Sequence, residues 1–77
     1  MSYGYSVRVI TLNKKADRGA VGVHLGRVCI KHDISVSEVA IKLKVSRQTV
    51  YNWFTGFSNP KGKKIDVIHR FLDTLKH

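Results

Sequence analysis

Ser35-Val-Ser-Glu38-Val39-Ala40-Ile-Lys42-Leu43-Lys44-Val45-Ser46-Arg47-Gln48-Thr49-Val50-Tyr51-Asn52-Trp53-Phe54 is the stretch that decides the fold. Ser35-x-x-Glu38 is a capping-box signature, in which a serine hydroxyl accepts from the amide three residues on. After it, Val39, Ala40 and Leu43 fall on one helical face. Lys44-Val45-Ser46 reads as a tight turn, and Ser46 is a second cap. In the helix that follows, Val50, Trp53 and Phe54 take the apolar positions. Arg47, Gln48, Thr49, Tyr51 and Asn52 remain on or beside the exposed face. Gly56 ends it.

Outward from this core, Asp17 is the expected cap of an earlier helix over about residues 18–32, with a shorter helix from near Val23 as the alternative. Val21, Leu25, Val28, Cys29 and His32 make one apolar face there. Gly19, Gly22 and Gly26 weaken such a helix, but Gly22 and Gly26 share a side on which another helix can approach closely. Phe57 to Lys64 reads as a loop with a basic tip. A last helix is expected from about Lys63 to Leu75, with Ile65, Ile68, Phe71 or Leu72, and Leu75 inward. Tyr3 to Leu12 alternates well enough for a β-strand, with Tyr5, Val7, Val9 and Thr11 on one face, and Asn13-Lys14-Lys15 as a turn. Tyr3, Val7 and Ile10 also fit helical spacing, so period alone leaves both readings open. The expected architecture is mainly α: a four-helix domain over residues 17–77, preceded by an extension over residues 1–16 that is a possible strand or arm.

Charge is as unevenly placed as hydrophobicity. The 77 residues carry a formal charge of +9, and Lys42, Lys44, Arg47, Lys61, Lys63 and Lys64 lie in a stretch from Val39 to Ile65 that holds no Asp or Glu. A one-sign field of this kind suits a polyanion, and a helix pair joined by a tight turn is the motif that enters a DNA groove. A merely solvated basic surface is the bland alternative. Cys29 stands alone, so an internal disulfide and a cysteine zinc site are excluded. His24, His32, His69 and His77 show no ligand spacing. Trp53 and Phe54 at helical spacing with Val50 read as core before they read as a base-stacking pair. Cys29 on an apolar face reads as an inert thiol. The basic half offers no carboxylate pair for acid-base work, so the chain is expected to be no enzyme and to need no cofactor or metal. With no leader-like or membrane-spanning run, a cytoplasmic location is expected, in a bacterial cytosol or phage-infected cell.

Val39, Ala40, Leu43, Val45, Val50 and Trp53, with Gly56 and Pro60 beyond them, resemble the Cro and repressor type of phage helix-turn-helix domain. The resemblance is strongest over residues 35–56, weaker over the flanking helices and absent over the first 16. It implies a four-helix fold of lambda-repressor-like type, and base contacts from the start and middle of the recognition helix, here Arg47, Gln48 and Asn52. Their place on the polar face of a helix whose amino end meets the duplex agrees with that assignment. Ser37, Thr49 and Tyr51, with Lys42, Lys44, Lys61, Lys63 and Lys64, are the expected phosphate contacts. Two departures stand out. Lys44 occupies the turn position the family usually gives to Gly, where a left-handed backbone costs a residue with Cβ about 1 kcal/mol or more. Val36 occupies the position often given to a phosphate-contacting Gln. The expected function is a Cro-like phage or prophage repressor acting on double-stranded DNA. The other classes are a DNA-architectural or recombination accessory protein and an antitoxin-like protein-binding module. A lone strand needs a partner, so Tyr5 to Thr11 is expected to pair with its counterpart in a homodimer.

Overall fold

The computed structural model describes residues 5–17 and 19–75; Tyr3, Arg18 and His77, on which parts of the sequence reading rest, lie outside the described residues. Five helices follow one another: α1 (Val7–Lys15), α2 (Val21–Lys31), α3 (Val36–Leu43), α4 (Arg47–Phe54) and α5 (Lys63–Thr74).

The N-terminal strand expectation is overturned, and the strand-to-strand pairing of two copies loses its basis with it. Residues 7–15, including the expected turn at Asn13-Lys14-Lys15, are helix α1, capped by Ser6, whose hydroxyl accepts from Val9 N at 3.2 Å. Physically, a helix closes its backbone bonds internally, whereas a lone strand would leave a row of donors and acceptors unpaired. The alternating set does not make a buried face: Val7 is 78% exposed. Instead Val9, Ile10 and the buried Asn13 turn toward the rest of the molecule. Asn13 Nδ2 donates to Val23 O at 3.1 Å and to Phe54 O at 2.6 Å, linking α1 to α2 and α4. Tyr5 stacks on Phe54 at 6.2 Å between centroids and donates its hydroxyl to Ile34 O. Arg27 Nη2 donates to the carbonyls of Asn13 and Lys14, closing the carboxyl end of α1.

Helix α2 begins at Val21, later than expected, and its cap residue Ala20 supplies no side-chain bond. Asp17 turns its carboxylate to Gly19 N at 2.9 Å instead, an Asx-type turn in place of a helix cap. His32 is exposed and Val23 is buried, so the inner face of α2 is rotated slightly from the expected one. Gly22 and Gly26 sit against α4. A methyl group at Gly22 would lie 2.9 Å from Trp53 Cβ, and one at Gly26 would lie 2.7 Å from Phe54 Cγ, so only hydrogen fits there. Around this crossing the core gathers Leu25, Cys29, Val39, Leu43, Val50, Phe54 and Ile68. Helix α5 closes it with Ile68 and Leu72, while Lys64 Nζ donates to Leu43 O at 2.8 Å, at the carboxyl end of α3.

Candidate nucleic-acid interface

Helices α3 and α4 are joined as their sequence demands. Ser35 Oγ accepts from Glu38 N at 3.1 Å, and Ser46 Oγ accepts from Thr49 N at 3.1 Å. Lys44 takes the left-handed conformation, φ 57° and ψ 45°, and Val45 N then reaches back to Ala40 O at 3.0 Å. The backbone of the turn is therefore the one that favours glycine, and a lysine bears its cost. Ala40 is buried at the crossing, where Ser37, Ile41, Val45 and Arg47 line a shallow groove with it.

The outer side of α4 carries Arg47 and Gln48, both exposed, with Thr49, Tyr51 and Asn52 half-buried beside them. No acidic residue lies in its first turn, so the positive amino end is not neutralised. Gln48 Nε2 donates to Asn52 Oδ1 at 3.0 Å, one turn along the helix. That bond leaves Gln48 Oε1 as an acceptor and Asn52 Nδ2 as a donor outside the pair. The hydroxyls of Ser46 and Thr49 meet at 2.9 Å. Trp53 and Phe54 face inward, 5% and 0% exposed, which makes them core and not stacking platforms.

The other candidate residues fall in two places. Ser37 comes within the groove that holds Arg47. Lys42 and Lys44 are exposed at the carboxyl end of α3, and Lys61 and Lys63 are exposed before and at the start of α5. Lys64 is half-buried, with its ammonium committed in part to Leu43 O.

Sequence reasoning missed a second groove along α4. Ser6, the cap of α1, and Val9 within it line the groove with Gln48, Tyr51, Asn52, Thr55 and Phe57, and Phe57 is 84% exposed. The one signal in the sequence was Phe57 itself, a large apolar residue placed just past the helix-ending Gly56, where no helical period accounts for it.

Cys29 is fully buried, and burial, reinforced by the negative charge of Glu38, pushes its thiol up to about 12, so it holds no thiolate at neutral pH. Among the described residues no group of three His, Cys, Asp or Glu is arranged to hold a metal ion, and no helix is long and apolar enough to cross a membrane.

Comparison with known proteins gives one match. The model of a helix-turn-helix family aligns with residues 25–75, from within α2 to the end of α5, so that α1 lies before the matched region. No match was found among curated proteins or among solved structures. With more than half of its length aligned and a capped, left-handed turn between α3 and α4, the chain belongs to the Cro/C1-type helix-turn-helix family of DNA-binding regulators.

Proposed function

We propose that this chain is a sequence-specific regulator of transcription that occupies an operator in double-stranded DNA, a repressor of the Cro-like phage or prophage kind. The observation that carries this reading is the Gln48–Asn52 pair on the outer face of α4. The acceptor and the donor that this bond leaves over are of the kinds that meet the N6 donor and N7 acceptor of adenine in the major groove. Arg47, one residue before the pair, supplies the fork that bridges guanine O6 and N7. Ser37, Thr49, Tyr51, Lys42, Lys44, Lys61, Lys63 and Lys64 hold phosphates and set register. Repression follows by simple exclusion, since a protein seated on an operator denies that DNA to polymerase. One domain of this size covers a short site, so two copies on a pseudo-palindrome are the expected arrangement.

Selection of bound duplexes from a random library at physiological salt tests the proposal. An enriched motif is expected, and Arg47→Ala should then cost about 1 to 3 kcal/mol and relax one base pair. A library that stays random, with affinity set by salt alone, would overturn it.

A further inference from the structure

We propose that α1 belongs to the DNA interface, with one sugar-phosphate strand running through the groove between the amino end of α1 and the carboxyl half of α4. The inference rests on the placement of α4 in the major groove proposed above, and it adds an element that lies outside the matched family region. Four observations carry it.

The groove is continuous with the proposed reading face, since Gln48 and Asn52 line it together with Ser6 and Val9. Its lining includes no carboxylate, and the first turn of α1 holds no acidic residue, so nothing in it repels a phosphate. Its chemistry is divided as a deoxyribose-phosphate chain requires. Phe57 and Val9 offer apolar surface for the sugar, and the hydroxyls of Ser6 and Tyr51 are donors for phosphate oxygens. Ser6 Oγ already accepts from Val9 N, which leaves its proton for another partner, whereas Thr55 Oγ1 spends its proton on Tyr51 O at 2.8 Å.

The backbone at Phe57, finally, is held in place while its side chain is exposed. Gly56 takes φ +79°, Gly56 N donates to Trp53 O at 3.2 Å, and Ser58 N donates to Asn52 O at 3.2 Å, so the turn fixes the backbone that carries Phe57 beside the carboxyl end of α4. When the amino end of a recognition helix enters the groove, its carboxyl end lies toward the backbone. Phe57 therefore meets sugar in preference to base edges.

The test uses the duplex selected above and two variants of the full chain. Ser6→Asp keeps an oxygen acceptor at the α1 cap, so the helix is retained, and it places a carboxylate where a phosphate should lie. Phe57→Ala removes the apolar wall at a surface position. Each is expected to weaken binding roughly five- to tenfold, the scale of one unit charge near another at a wet surface for Ser6→Asp. Base preference should stay unchanged, and ethylation interference should lose one or two phosphates on one flank of the site. Thermal midpoints within a few degrees of the parent show that both variants are folded. Parent-like affinity and an unchanged phosphate pattern in both variants would overturn the inference. So would a change in sedimentation with the phosphate pattern intact, which would assign the groove to a second copy of the chain. Failure of the reading proposed for α4 looks different: Arg47→Ala would then leave the enriched motif unaltered while the two groove variants still weaken binding to bulk duplex.

Discussion

Asn13 is the residue on which three helices depend. Its amide is 1% exposed and donates to a carbonyl of α2 and to the last residue of α4, so the polar group is buried only because both partners are present. Asn13→Ala should lower stability by about 1 to 3 kcal/mol in a urea titration. Asn13→Asp should be worse at neutral pH, since a carboxylate facing two carbonyls accepts and cannot donate. Lys44 poses the opposite case, a residue whose backbone is unsuited to its side chain. At φ 57° a Cβ is crowded, so Lys44→Gly should raise the urea midpoint by up to about 1 kcal/mol of stability, less the greater freedom of glycine in the unfolded chain. A midpoint that falls would show that the ammonium stem does more packing than its exposure indicates.

At the scale of elements, α2 and α4 meet so closely that two glycines are obligatory, and helix propensity loses to packing. Gly26→Ala would gain up to about 1 kcal/mol of propensity in an isolated helix. In the folded chain its methyl would lie within 2.8 Å of Asn13 Nδ2 and Phe54 Cβ, so the net change should be a loss of about 1 to 3 kcal/mol, read as a lower thermal midpoint. The left-handed turn at Lys44 was implied by the family resemblance, and the Ser6 cap was not foreseen. The two glycines on one side of the helix were legible in the sequence, and so were the caps Ser35 and Ser46 and the inward Val39, Leu43, Val50 and Trp53. Each rests on a local rule: a hydroxyl three residues before an amide, a period of 3.6, a glycine past a helix end. The form of α1 was not legible. Tyr5, Val7, Val9 and Thr11 satisfy a period of two as well as Val9, Ile10 and Asn13 satisfy a helix. What decides between them is tertiary, namely the carbonyls of Val23 and Phe54 waiting for the Asn13 amide and that of Ile34 waiting for the Tyr5 hydroxyl. For the same reason the sequence pointed to α4 as the reading element but not to the groove that α1 builds beside it.

The molecule as a whole is set against alkali by two buried protons. Burial raises both the Cys29 thiol, from near 9 to about 12, and the Tyr5 phenol above its ordinary 10. The unfolded chain releases the thiol proton near 9 while the folded chain keeps it, so the unfolded state binds fewer protons above that pH. The stabilising contribution is complete below about pH 9 and declines as pH rises toward 12. Urea midpoints taken between pH 7 and pH 11 should fall on the alkaline side, and Cys29→Ala should flatten the first part of that fall. A profile flat to pH 11 would mean that the thiol titrates in the native fold. The bonds that moor α1 have a consequence in time as well as in energy. Tyr5 and Asn13 tie this helix to the loop before α3 and to the end of α4, so α1 has no way to fray alone without stranding buried polar groups. Its inner amides should therefore exchange deuterium at the slow rate of α4, through opening of the entire domain, and the two helices should appear in such an experiment as a single cooperative unit.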